Sequence, residues 1–151
     1  MDEPTSLLER ARSRATQMNL PYAGALFPRE AGELVASLPE AQLVDVRTRA
    51  EWEWVGRIPG SVMIEWNEWP GGERNPQFLS ELRASVPNLS APLLFICRSG
   101  ARSHNAALAA TQAGYTFCCN VLEGFEGDKD SQGHRSTVGG WRAAGLPWVQ
   151  G

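Results

Sequence analysis

The sequence predicts an α/β domain with a central parallel sheet of about five strands and helices on both faces. Three observations carry this. Short apolar runs of strand length, Gln42–Val46 and Pro92–Ile96 the clearest, alternate with stretches of helical spacing. Pro28, Pro39, Pro59-Gly60 and Gly114 punctuate the boundaries between them. A chain of 151 residues is also one domain's worth, long enough to bury a single core.

The elements follow in order. Residues 3–18 carry Leu7, Leu8, Ala11, Ala15 and Met18 at helical spacing, and the cluster Asn19–Gly24 breaks that helix. Residues 1–25 are therefore read as an N-terminal helical appendage, and 26–151 as the domain proper. Pro28 opens a second helix through Leu38, which Pro39 stops. Gln42–Val46 is a strand, followed by polar Arg47-Thr48-Arg49; Ser61–Glu65 is another, after the Pro59-Gly60 turn. A helix covers Pro76–Val86. Pro92–Ile96, almost wholly apolar, suits a strand buried on both faces. His104–Ala113 is a strong helix closed by Gly114, and Tyr115–Leu122 a further strand. A Gly- and Asp-rich loop then spans Glu123–Gly140, before a short helix Trp141–Gly145 and an extended piece Leu146–Val149.

Composition narrows the function classes. Hydrophobic residues are 42% and charged residues 21%, ordinary globular usage that excludes wholesale disorder. Fourteen Lys plus Arg against seventeen Asp plus Glu give a net charge of −3, with no basic footprint for nucleic acid. Any anion must be held locally. No apolar stretch is long enough to span a membrane, and the charged N-terminus lacks the apolar region of a signal peptide. Three cysteines without CxxC pairing or zinc-ligand spacing fit a reducing cytoplasm and leave a thiol free for chemistry.

That thiol is Cys97. It stands directly after the buried strand and just before a helix, where open parallel sheets bind ligands. The backbone after it offers successive N–H groups, Gly100 permits the turn, and the helix points its positive end at the same spot. Arg98 and Arg102 add full charge, and all of these favour a thiolate. The strand ending at Val46 brings Asp45 to the same edge, where one arginine is expected to brace against it. Arg47 and Glu51, four apart, are expected to pair with each other. Cys118 and Cys119, adjacent in a strand and without nearby charge, are read as core residues on opposite faces. Trp66 and Trp69, beyond a strand that ends at the active edge, are candidates for a pocket wall.

Asp45-Val-Arg47, Glu51-Trp52, Gly56-Arg-Ile-Pro-Gly-Ser61 and the loop Cys97-Arg-Ser-Gly-Ala-Arg-Ser103, in this order, resemble a single-domain rhodanese from about Pro28 to Val149. The resemblance implies a rhodanese-like three-layer fold and a thiosulfate sulfurtransferase. Cys97 would take a sulfane sulfur, hold it as a persulfide and pass it to cyanide or a thiol. Arg98, Ser99, Gly100, Ala101, Arg102 and Ser103 would be the substrate cradle, with Asp45 supporting. The implied partners are a small-molecule sulfur donor, or a protein that carries a persulfide, and a thiophilic acceptor; neither nucleic acid nor a membrane is expected, and no cofactor or metal is required. Three departures stand out. Arg57 occupies a usual His position, Leu122-Glu-Gly-Phe125 replaces a Gly pair, and the loop from Glu126 to about Gly140 is long, long enough to lid the pocket.

Rival readings fit less well. A Cys-dependent phosphatase spaces cysteine and arginine as Cys-x5-Arg, whereas Cys97 and Arg102 give Cys-x4-Arg. A non-catalytic partner-binding module has no use for the cysteine. Asp128–Gly133 mimics the start of a calcium loop, but position twelve is Gly139 rather than a bidentate Glu. His104 is read as a polar surface residue at a helix start, and His134 lies in the long loop with no evident partner.

Overall fold

The computed structural model describes residues 3–150. Five helices, α1 (Pro4–Gln17), α2 (Pro28–Ser37), α3 (Arg49–Trp54), α4 (Phe78–Ser85) and α5 (Ala101–Gln112), accompany five strands: β1 (Gly24–Leu26), β2 (Gln42–Asp45), β3 (Val62–Met63), β4 (Leu93–Ile96) and β5 (Cys118–Val121). The strands form one sheet in the order β1-β5-β4-β2-β3, every neighbouring pair parallel. The predicted α/β class and parallel sheet are what the chain adopts.

Alternation along the central strand β4 divides the core in two. Leu93 and Phe95 pack with Phe78 and Leu82 of α4 and Ala106 and Ala110 of α5. Leu94 and Ile96 pack with Leu7 and Ala11 of α1 and Ala31 and Leu34 of α2. All four β4 side chains are fully buried, which explains the unbroken apolar run in the sequence. Each contributes roughly 1.5–3 kcal/mol relative to exposure.

Cys118 and Cys119 divide as expected, one in each half of the core. Burial pushes the Cys118 thiol up to about 11, against a smaller opposing hydrogen bond from Thr111, and pushes Cys119 higher still. Neither is suited to attack.

The N-terminal segment is built into the sheet. Leu7 and Ala11 are fully buried, and the ion pair of Arg14 with Glu30 (2.6 Å) ties α1 to α2. The Glu30 carboxylate also accepts from the Phe27 N–H at the start of α2. The boundary expected between residues 25 and 26 falls inside β1, which pairs with β5 through Gly24, Ala25 and Leu26. A Cβ on Gly24 would lie 2.5 Å from the Cys119 sulfur, so this close approach needs glycine. Three residues preceded by Pro21 read as a turn in the sequence because they are too short for a period to register. Between α1 and β1 the chain crosses faces: Leu20 and Tyr22 join the α4/α5 half of the core.

Other expected elements differ in detail. Helix α3 begins at the last of the polar residues Arg47–Arg49 and runs through residues assigned to no element; none of its residues is buried, so no apolar stripe marked it. Its signal is the reciprocal cap between Thr48 and Glu51. Trp141–Gly145 forms turns between Gly140 and Gly145, both at positive φ, rather than a helix. The Leu146–Val149 piece bridges antiparallel to Arg57 through mutual backbone bonds (2.8 and 2.9 Å). No helix among the described residues is long and apolar enough to cross a membrane.

Strand β2 ends in Asp45, and Arg47 folds back onto it, both without exposure. Arg47 reaches Asp45 through Nε (2.9 Å to Oδ1) and Nη2 (2.7 Å to Oδ2), and Nη2 also donates to the Gly56 carbonyl (2.8 Å). Arg47→Met leaves a buried carboxylate without its partner and is expected to cost about 3–5 kcal/mol. The double change Asp45→Leu with Arg47→Met is expected to lose far less. Urea unfolding of the three proteins checks this; a double variant as unstable as the single would contradict it.

Candidate active site

Asp45 and Cys97 come to the same sheet edge because β2 and β4 are parallel neighbours, with Asp45 opposite Ile96. Cys97 continues the alternation that puts Leu93 and Phe95 toward α5, so its side chain also joins that half of the core, 1% exposed. The turn after it is made by Gly100, whose φ of +121° is open to glycine. Gly100 then donates its N–H to the Cys97 sulfur at 3.1 Å.

Helix α5 begins at Ala101, earlier than the expected His104. Ala101, Arg102 and Ser103 are thus its first turn rather than loop, where N–H groups lack intrahelical partners and the helix dipole is positive. The six cradle positions are one unit, half turn and half helix. Ser103 is fully buried with its hydroxyl 3.2 Å from the Cys97 sulfur.

The cradle is fixed from behind. Phe125 donates its N–H to the Cys97 carbonyl (2.8 Å), and Glu126 and Gly127 donate to the Arg98 carbonyl (3.0 and 3.2 Å). Gly124 approaches so closely that a Cβ there would lie 2.5 Å from the Cys97 carbonyl oxygen. The departure at Glu123, which has φ +71°, also acquires a reason: its carboxylate accepts from the Gly140 N–H (3.0 Å) and closes the base of the long loop. The first residues of that loop brace the cradle. The Asp130 carboxylate in its middle is occupied by the Gln132 and His134 N–H groups and the Thr137 hydroxyl, so the calcium-like run is a self-bonded turn.

The expected charge pairings are exchanged. Asp45 binds Arg47 and not a cradle arginine. Glu51, four residues from Arg47, instead grips Arg102 with both oxygens (2.7 and 3.0 Å). Spacing along the chain could not reveal this, because the partner lies 51 residues away and becomes close only through parallel pairing. Burial alone would raise the Glu51 carboxyl, but bonds from Arg102 and the Thr48 N–H, with the charges of Arg102 and Arg47, bring it down to about 2. Burial works against the Arg102 charge in the same way, and Glu51 outweighs it. Arg98 is exposed, and its side chain makes no hydrogen bond or ion pair among the described residues.

Trp66 packs into the core edge-on to Phe78, and the cavity of about 330 Å³ that it lines with Arg74 and Asn105 includes no cradle residue. Trp69 meets Trp54 edge-on beside a groove of about 360 Å³ that Thr48 and Glu51 also line. A third cavity, about 500 Å³, opens near the amino-terminal ends of β2 and β3 and includes no cradle residue. Among the described residues no group of three or more His, Cys, Asp or Glu could hold a metal ion.

Comparisons with known proteins identify the family. Residues 28–131 match the model of the Rhodanese-like domain family. The chain is 37% identical over 125 residues to the uncharacterized protein RC0915 of Rickettsia conorii, covering 79% of this chain and 91% of that protein. The crystal structure of Rv0390 from M. tuberculosis superposes with a TM-score of 0.79 at 48% identity, covering 86% of this chain and 99% of the other. The 30 kDa polysulfide-sulfur transferase homodimer of Wolinella succinogenes shares the fold at 19% identity, with a TM-score of 0.60, covering 92% and 88%.

The Glu51–Arg102 pair predicts a specific acid sensitivity. The folded carboxyl lies below its ordinary value, so its contribution is fully present above about pH 4.5 and is lost as pH falls toward about 2. The difference in melting temperature between the natural protein and Glu51→Gln is expected to shrink across that window. A difference that stays constant from pH 7 to pH 2 would contradict the pairing.

Proposed function

This chain belongs to the Rhodanese-like domain family, and we propose that it is a sulfurtransferase whose Cys97 carries a sulfane sulfur from donor to acceptor. The observation that carries the reading is the Cys97 sulfur at the end of β4, met by the Gly100 N–H at the N-terminus of α5. A fold shared with the Wolinella polysulfide-sulfur transferase supports the same class.

With thiosulfate as donor, the Cys97 thiolate attacks the outer sulfur. The new S–S bond forms as the old one breaks, and sulfite leaves with the bonding pair. The acceptor, cyanide or a thiolate, then attacks the outer sulfur of the persulfide and returns Cys97 as thiolate. Two displacements at one nucleophile split the transfer, and no electrons are gained or lost overall. A persulfide-carrying protein would enter the same first step, releasing its own thiolate instead of sulfite.

The cradle residues divide the work. The Gly100 N–H meets the sulfur, where anionic charge develops, and the positive end of α5 follows directly after it. Arg98, exposed and unpaired among the described residues, suits the sulfonate of an incoming donor. Arg102, already matched by Glu51, holds the cradle's shape as much as its charge. The Cys-x4-Arg spacing suits a single added sulfur better than a phosphate, so aryl phosphates should be poor substrates.

Two measurements test this. Incubation with thiosulfate followed by intact-mass analysis should show one added sulfur, and Cys97→Ser should take up none. No uptake by the natural protein, or equal uptake by the variant, would overturn the reading. Arg98→Ala should raise KM for thiosulfate about tenfold, in keeping with loss of a charged hydrogen bond. An unchanged kcat/KM would show that backbone donors suffice.

A further inference from the structure

A chain of buried polar side chains leads from Cys97 away from the cradle mouth. Ser103 donates its hydroxyl proton to Asn120 Oδ1 at 2.6 Å. Asn120 Nδ2 donates to the Gly100 carbonyl at 3.2 Å, an acceptor only, which fixes which end of the amide faces Ser103. The Tyr22 hydroxyl lies 2.7 Å from His104 Nδ1, with the Asn120 amide close enough to act on the phenol. Asn120 is 4% exposed and Tyr22 6%. Tyr22 comes from the segment before β1, outside the residues that match the family.

A serine has one proton to give. While Asn120 takes it, Ser103 offers Cys97 only lone pairs, so across the 3.2 Å contact the thiol must be the donor. Once the thiol proton has gone to solvent, the same lone pairs would face an anion. The hydroxyl then has to turn, donate to sulfur and give up Asn120. We propose that Asn120 and Tyr22 are positioning residues that set this rotor: they hold Ser103 as an acceptor while Cys97 is a thiol and yield its proton when the sulfur becomes anionic. The proposal rests on the reading of Cys97 as the nucleophile.

Other ionisable groups surround Cys97 and none is itself replaced below; Tyr22→Phe also takes the hydroxyl from His104 Nδ1, an effect that the Ser103→Ala background separates from the rotor. Arg102 and His104 lie on α5, Asp45 and Arg47 at the end of β2, Glu51 on α3, and Arg98 in the turn.

The test is the pH dependence of Cys97 alkylation by iodoacetamide, read as a single adduct by intact mass. Asn120→Leu frees the Ser103 proton for the sulfur, so its midpoint should fall by about one pH unit, a tenfold faster reaction on the acid side. Tyr22→Phe should move the midpoint the same way by less, and serves alone if Asn120→Leu does not fold. In a Ser103→Ala background the Tyr22→Phe shift should vanish. Unchanged midpoints, or a shift that survives without the serine, would overturn the proposal. Alkylation requires no sulfur donor, so the two readings separate. Shifted midpoints without sulfur uptake would defeat the sulfurtransferase reading alone, and sulfur uptake with fixed midpoints would defeat the rotor alone.

Discussion

The buried pair of Asp45 and Arg47 is the constraint on which the rest of the site depends. Removing two charges from water is costly and is offset only where every strong bond is made. Here Asp45 takes two nitrogens, Gly56 accepts from one of them, and the guanidinium lies 4.1 Å from the Phe125 ring centre. Its Nη1 has no hydrogen-bond partner among the described residues, in keeping with that stacked position. One side chain thereby joins the end of β2, the second residue beyond α3 and the loop after β5. The Phe125 N–H in turn holds the Cys97 carbonyl. The backbone beneath the nucleophile and the helix that carries Glu51 therefore share one anchor.

From that anchor the charge at the site is graded. Glu51 compensates Arg102, so the cradle interior relies on backbone dipoles, which need no counter-ion and no reorganisation. The cradle's other guanidinium, Arg98, is exposed and uncompensated among the described residues. A chain with net charge −3 can hold an anion this way because the attraction is local.

Much of this was legible in the sequence. The apolar run before Cys97, the glycine after it and the helix beyond marked strand, turn and dipole, because each is a local feature with a local cause. What escaped was either short or distant. Strand β1 has three residues and exists only by pairing with β5. Helix α3 has no fully buried residue, so its cap had to announce it. The partners of Asp45 and Glu51 were misread because i,i+4 spacing describes a continuous helix, and Arg47 lies outside α3, before its N-cap Thr48. Asn120 and Tyr22 gave no signal at all: Asn120 meets Ser103 because β5 lies beside β4, and Tyr22 meets His104 because the segment before β1 crosses to the α5 face.

The position of the other two cysteines has a consequence for redox wear. Cys118 pairs with Leu93, four residues before Cys97, which places it about 13 Å back along the sheet at ordinary strand rise. Cys119 lies on the opposite face. Neither is within the 7 Å or so that a disulfide spans. A sulfenic acid formed on Cys97 thus has no resolving partner in its own chain, and an external thiol must reach the sulfur to restore it.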